Sequence, residues 1–102
     1  MTILVLDVGS SSVRALLFDD DVALLAHTSR PHRFAATPPG ASTIDPAELA
    51  ARVEACIDEI LRHPQARDIR AVAMDTFVGN VLGVDAGQGA HTRLHLRRHT
   101  QR

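Results

Sequence analysis

One short segment near the start of the chain, residues 6–14, combines residue types that bind phosphate and metal ions and reads LDVGSSSVR. Gly9 allows the backbone to turn sharply and lets a ligand approach closely. The amides and hydroxyls of Ser10, Ser11 and Ser12 are suited to form a concave site for an anion. The spacing therefore predicts a phosphate-binding turn at these four residues.

Charged residues flank this turn on both sides. Asp7 ends an apolar run, and a buried carboxylate is costly unless something compensates its charge. A magnesium ion, held directly or through water, is a suitable partner for Asp7. Arg14 can place a planar cationic fork beside a phosphate. The alternative interpretation is a polar hairpin turn that Asp7 merely caps.

The composition excludes several other kinds of site. All 11 basic residues are arginine, so the chain holds neither a Walker-type phosphate loop, which needs a lysine, nor a Schiff-base lysine. The single cysteine, Cys56, excludes a disulfide framework and a cysteine-based zinc site. No apolar run approaches the ~20 residues of a membrane span. No signal-peptide pattern opens the chain, so we expect a cytoplasmic protein.

The elements that must position these residues follow from hydropathy patterning. Strands are predicted at residues 3–8, 13–18, 22–26, 69–74 and 78–84. The first three are joined by tight turns and form an antiparallel meander, and the absence of a helix after Gly9 excludes a Rossmann-type site. Residues 29–43 are predicted to be an irregular loop. Its beginning, residues 29–33, could border a substrate cleft, although a solvated loop is the favoured interpretation.

A single helix is predicted between the third and fourth strands. Asp45 is a suitable N-cap, Pro46 suits the first helical position, and Glu48 completes a spacing like that of a capping box. Apolar residues then recur at intervals of three and four and define one face, which comprises Leu49, Val53, Cys56, Ile57, Ile60 and Leu61. His63 and Pro64 are predicted to end the helix.

The phosphate-binding segment resembles the first phosphate motif of the FGGY carbohydrate kinases, a family within the actin/Hsp70/hexokinase-like (ASKHA) superfamily. The family pattern is approximately D-x-G-T/S-x-S-x-R, and Asp7, Gly9, Ser10, Ser12 and Arg14 match it. An Asp-Pro pair before a long helix and a strand-turn-strand like that of residues 71–85 are also similar to the family. The resemblance covers about residues 3–88.

The resemblance implies a fold, cofactors and a substrate class. The implied fold is α/β, a partial and truncated ribonuclease-H-like domain with the element order β-β-β-α-β-β and a mixed sheet. ATP and Mg are the implied cofactors, with Asp7 near the metal and the Ser10–Ser12 hydroxyls and Arg14 near the phosphates. A sugar or polyol is the implied substrate. The family's catalytic base lies downstream of this region, so the resemblance implies no catalytic residue here and an inactive isolated chain.

The residues that would face a sugar depart from the family pattern. Many members carry a polar run such as Gly-Gln-Met-His after the strand, where this chain has Thr76, Phe77, Val78 and Gly79. We therefore take Asp75, Thr76 and Phe77 as candidate substrate residues and predict no particular sugar.

Residues 89–102 differ in composition from the rest of the chain. They contain 4 arginines and no acidic residue, whereas residues 1–88 contain 7 arginines and 12 acidic residues. His91, His95 and His99 could form a metal-binding face on a helix, but a basic, disordered tail is the favoured interpretation. Nucleic acid is not an expected partner because the tail has no aromatic residue for stacking.

The tail is predicted to be a frameshifted reading of a normal family sequence. With permitted synonymous codons, translation from one base later gives Val-His-Thr-Pro-Val-Tyr-Thr-Tyr-Ala-Asp-Thr-Arg-Ser. That sequence resembles the family's continuation, a strand ending in an aromatic-x-Asp-x-Arg motif. The predicted organisation is therefore a partial kinase domain at residues 1–88 followed by the tail.

Two other functions stay open at this stage. One is a stand-alone phosphate- or nucleotide-binding module without catalysis, and the other is a generic ATPase fragment of the ASKHA type. A truncated sheet would also leave an unpaired edge, through which copies of the chain could associate.

Overall fold

The structure, a computed structural model, describes residues 1–36, 42–87 and 94–96. The elements in chain order are strands β1 (Thr2–Val8), β2 (Ser12–Asp19), β3 (Leu24–Pro31) and β4 (Thr43–Ile44), helix α1 (Pro46–Ile60), a 3-10 helix (Pro64–Asp68), and strands β5 (Ile69–Thr76), β6 (Asn80–Val81) and β7 (Leu94–Leu96). Among these described residues, no helix has the length and apolar character needed to cross a membrane.

A four-stranded mixed sheet in the order β3-β2-β1-β5 forms the centre of the fold. The strands β1, β2 and β3 are antiparallel neighbours, whereas β5 runs parallel to β1. Alternate residues of β1 and β2 are buried, because successive side chains of a strand point to opposite faces. The predicted α/β class, the meander and the mixed sheet are confirmed.

Helix α1 covers one face of this sheet. The side chain of Asp45 accepts a hydrogen bond from the Ala47 amide at 3.0 Å, which confirms the predicted N-cap. Cys56 and Ile60 are buried in the core with apolar residues of β1 and β2. Leu61, expected on the same face, is half exposed because the helix ends at Ile60. The next turn is a 3-10 helix that the sequence pattern did not predict.

Strand β3 begins and ends later than predicted. Val22 has a φ of 62° and lies in a turn, so the strand starts at Leu24. The Asp19 carboxylate holds this turn by accepting hydrogen bonds from two turn amides at 2.9 Å. At the other end, pairing of Ser12 with Pro31 extends β3 through residues that were expected to be a loop. The hydrogen-bond ladder with β2 outweighs the turn-like composition of this stretch.

A second, smaller sheet has the order β4-β7-β6. The strand predicted at residues 78–84 is reduced to Asn80–Val81, because Gly79 turns the chain with a φ of 74°. Within the predicted tail, Leu94–Leu96 pairs with both β4 and β6. The remaining residues of the predicted tail, including His91 and His99 of the metal-face hypothesis, lie outside the described residues.

Candidate functional site

The predicted phosphate turn joins β1 to β2. The Gly9 amide donates a hydrogen bond to the Ser12 carbonyl at 2.9 Å, which closes a tight antiparallel connection without a following helix. A Cβ atom at Gly9 would lie 3.1 Å from the Ser12 carbonyl oxygen, which explains the need for glycine. The side chains of Ser10 and Ser11 are exposed at the tip of the turn. We refer to Gly9–Ser12 as the serine turn.

Asp7 and Arg14 flank the serine turn on the same face of the sheet. They lie directly opposite each other in the β1–β2 register. Arg14 Nε donates to Asp7 Oδ2 at 2.9 Å, and Arg14 Nη2 contacts the same oxygen. The two side chains that the motif spacing singled out are therefore brought together, with a carboxylate and a guanidinium at one end of the sheet.

A second carboxylate joins this pair from β5. Asp75 lies beside Asp7 in the parallel β1–β5 register. A hydrogen bond from Asp75, and then those from Arg14, hold the pKa of Asp7 below its ordinary value. The same hydrogen bond to Asp7, helped by burial and by charge repulsion, raises the pKa of Asp75. Asp7 is thus the stronger anion of the pair, and Asp75 is the group that keeps the proton to higher pH.

The carboxylate pair has donor atoms that suit magnesium. Mg²⁺ commonly uses one or two carboxylates and takes its remaining ligands from water and phosphate oxygens. Asp7 supplies such an oxygen next to the serine turn, and Asp75 lies beside it. Within the described ranges, no group of three or more His, Cys, Asp or Glu side chains is arranged to hold a metal ion. The residues present therefore fit an ion held jointly with a phosphate, rather than by a protein cage.

A cleft of about 620 Å³ opens on the serine turn, and its far wall comes from the segment after β3. The His32 amide donates to the Ser11 carbonyl at 3.0 Å. The His32 ring lies with Nε2 at 2.7 Å from the Gly9 carbonyl oxygen. His32 is 7% exposed, and its ring packs against Phe34 with centroids 5.6 Å apart. Residues 29–33, favoured as a solvated loop by the sequence, thus include the buried support of the turn.

The sequence matches the model of the FGGY family of carbohydrate kinases, N-terminal domain, over residues 2–92. The chain belongs to the FGGY family. No curated protein matches the sequence. The match covers the serine turn, both carboxylates and the cleft, so the resemblance noted from the motif is confirmed at the level of the family.

Solved structures share the fold of this FGGY chain. A xyloylose kinase from Brucella ovis superposes with a TM-score of 0.88 at 23% identity, over 94% of this chain and 21% of its own. A xylulose kinase from Rhodospirillum rubrum gives 0.85 at 21% identity, over 94% and 20%. Plasmodium falciparum glycerol kinase with ADP gives 0.84 at 16% identity, over 93% and 20%. The chain therefore spans about a fifth of the length of these kinases.

Thr76 and Phe77, the other two candidate substrate residues of this FGGY chain, do not lie with Asp75 beside Asp7. Thr76 pairs with Val8 in the register and lines an apolar groove beside α1, on the face opposite to Asp7. Phe77 packs edge-on against Phe34 with centroids 5.5 Å apart, and its amide donates to the Val8 carbonyl at 2.9 Å. Asp75 is thus placed at the carboxylate pair, whereas Phe77 packs against the core.

Proposed function

We propose that this chain is the nucleotide-phosphate-binding part of a carbohydrate kinase that transfers the γ-phosphate of Mg-ATP to a sugar or polyol hydroxyl. The observation that carries the proposal is the arrangement of Asp7 and Arg14 on one face beside the hydroxylated serine turn, in a chain of the FGGY family. Phosphoryl transfer depends almost entirely on positioning and on stabilising negative charge, and these groups serve both purposes.

Each group has a distinct role in this proposal. The exposed Ser10 and Ser11 supply donors for nucleotide phosphate oxygens. Arg14 neutralises phosphate charge and, in the free chain, keeps Asp7 ionised by hydrogen bonding. Asp7 holds the magnesium ion, directly or through water. The neighbouring Asp75 is the carboxyl group that keeps its proton to higher pH. When bound, the magnesium ion neutralises charge on the phosphates.

The isolated chain is proposed to bind nucleotide without turning over a sugar. It offers a phosphate turn and a metal carboxylate, but no general base for the substrate hydroxyl is implied among its residues by the family resemblance. Positioning of the acceptor and stabilisation of the transferred group would both be incomplete.

A titration of the purified ¹⁵N-labelled chain tests this function. Mg-ADP and Mg-ATP are expected to shift the amide resonances of Ser10, Ser11 and Ser12 and to leave the β2–β3 turn at residues 20–23 unchanged. Incubation with Mg-ATP and a panel of sugars and polyols is expected to give no phosphorylated product. Absence of any shift at the serine turn would contradict nucleotide binding, and turnover that persists through repeated purification would contradict the incomplete site.

The frameshift interpretation of residues 89–102 is a separate proposal about the gene. The family match ends at residue 92, close to where the acidic residues stop. We expect the frame one base later to stay open past the codon for residue 102 and to encode a second phosphate loop and a downstream aspartate. Sequencing of the gene and about 1.5 kilobases after it decides the matter, because a relative five times longer than this chain needs ~450–500 codons. A closed frame there would favour the stand-alone binding module instead.

A further inference from the structure

His32 contacts the serine turn through two different groups. Its backbone amide donates to the Ser11 carbonyl at 3.0 Å, and its ring nitrogen Nε2 lies 2.7 Å from the Gly9 carbonyl oxygen. The residue is 7% exposed, although it follows the end of β3 at Pro31. The phosphate and metal roles described above do not account for a buried histidine that holds two carbonyl groups of the turn.

These two contacts fix the orientation of two peptide units in the serine turn. A trans peptide unit is planar and directs its N–H opposite to its C=O. Because the Gly9 and Ser11 carbonyls both face His32, the amides of Ser10 and Ser12 are directed away from it. An anion-binding turn depends on the common orientation of successive N–H groups. His32 therefore orients, through their carbonyl partners, the amides that an anion would contact.

The hydrogen bonding of the His32 ring determines its tautomer. The Gly9 carbonyl oxygen can only accept a hydrogen bond, so Nε2 carries the hydrogen. Nδ1 has no hydrogen-bond partner in the described part of the chain, so no second hydrogen bond there competes with the one to Gly9. The ring thus has one hydrogen bond, and that bond is made to the turn.

Two aromatic rings hold the imidazole in place. His32 packs against Phe34 with centroids 5.6 Å apart, and Phe34 packs against Phe77 with centroids 5.5 Å apart. The Phe77 amide donates to the Val8 carbonyl at 2.9 Å, so the second ring is anchored to the last residue of β1, next to Gly9. Binding groups are held accurately when packing fixes the rotamers of the residues that support them. Phe34 and Phe77 give His32 that support.

We propose that His32 is a positioning residue, which holds the serine turn in its phosphate-binding conformation through the hydrogen bond from Nε2 to the Gly9 carbonyl. The inference rests on the proposed function, because it assigns a residue that controls nucleotide affinity without contacting the nucleotide. Loss of this bond leaves the Gly9 carbonyl without its partner, so the peptide unit turns and the Ser10 amide loses its orientation.

Two amide substitutions separate the roles of the two ring nitrogens. Glutamine and asparagine both carry an N–H donor, but the glutamine nitrogen takes the place of Nε2 and the asparagine nitrogen that of Nδ1. His32→Gln therefore keeps a donor for the Gly9 carbonyl, and His32→Asn does not. We expect Mg-ADP affinity within about twofold of wild type in His32→Gln and at least about fivefold lower in His32→Asn. His27→Asn, the same change at an exposed site on β3, should leave the affinity unchanged.

Two measurements on the labelled chain connect the loss of affinity to the turn. ¹⁵N relaxation should show increased motion of the Ser10 and Ser11 amides in His32→Asn and wild-type motion in His32→Gln. In the wild-type chain at about pH 8, where an ordinary histidine is neutral, the His32 ring should carry its hydrogen on Nε2. A hydrogen on Nδ1, or equal turn motion in the two His32 variants, would overturn the proposal.

The two proposals fail in different ways. Wild-type Mg-ADP affinity in both His32→Gln and His32→Asn would leave the nucleotide function standing and remove this inference. Absence of Mg-ADP binding by the wild-type chain would remove the nucleotide function, and an ordered turn in His32→Gln beside a mobile one in His32→Asn would still assign the positioning of the turn to His32. If His32→Asn does not fold, the tautomer of the wild-type ring and the affinity of His32→Gln decide the question.

Discussion

Asp7→Asn is expected to remove most of the Mg-dependent affinity of the chain for ADP and ATP. The substitution deletes the anion that would hold the metal and breaks the ion pair with Arg14. An amide oxygen is a weaker ligand for Mg²⁺ than a carboxylate, and a hydrogen bond to a charged group is worth about 1.5–3 kcal/mol. We therefore expect the dissociation constant of Mg-ADP to rise at least about tenfold, measured by calorimetry in the presence and absence of magnesium.

Two matched variants make this result interpretable. Asp75→Asn keeps a donor toward Asp7 and leaves the Asp7 carboxylate in place, so it should change Mg-ADP affinity far less. Asp21→Asn makes the same chemical change in the β2–β3 turn, at the opposite end of the strands, and should have no effect. Wild-type affinity in Asp7→Asn would exclude a metal role for Asp7. An equal loss in Asp21→Asn would point to a general effect of charge.

Leu17→Ala is expected to lower the free energy of unfolding by about 2–5 kcal/mol. Leu17 is fully buried on β2, in the core cluster that α1 covers, so its truncation leaves a cavity as well as removing apolar contacts. The free energy of unfolding of small domains is only about 5–15 kcal/mol, so this one substitution removes a large part of it. Urea unfolding followed by circular dichroism measures the effect.

The controls use the same side chain in different surroundings. Leu24→Ala on β3, where the leucine is 50% exposed, should cost less than about 1 kcal/mol, and Leu17→Met, which conserves volume, less than about 1.5 kcal/mol. Sedimentation at each protein concentration checks for association through β5, which lies at an edge of the main sheet. Equal costs for Leu17→Ala and Leu24→Ala would mean that the core does not lie under α1.

The parts of the fold and site that the sequence predicts are those with local causes. The continuous apolar run of β1, the glycine in the turn and the Asp45 cap each act within a few residues of chain, so their residue types determine the local structure. The antiparallel pairing of Asp7 with Arg14 follows for the same reason. Asp7 lies two residues before the serine turn and Arg14 lies two residues after it. Once that turn forms, the two residues must therefore face each other across the strand pair.

Only the tertiary structure places the remaining groups. Asp75 comes to lie beside Asp7 through the register of two parallel strands that are distant in the chain, and no spacing in the sequence specifies that register. His32 reaches Gly9 only because β3 pairs with β2 as far as Pro31. Strand β7 forms because β4 and β6 supply hydrogen-bonding edges on both of its sides. The sequence by itself determined the turn, its flanking charges and the family, since these depend on neighbouring residues. Which distant polar groups meet at the turn was decided by strand pairing, which brings together segments that no local pattern connects.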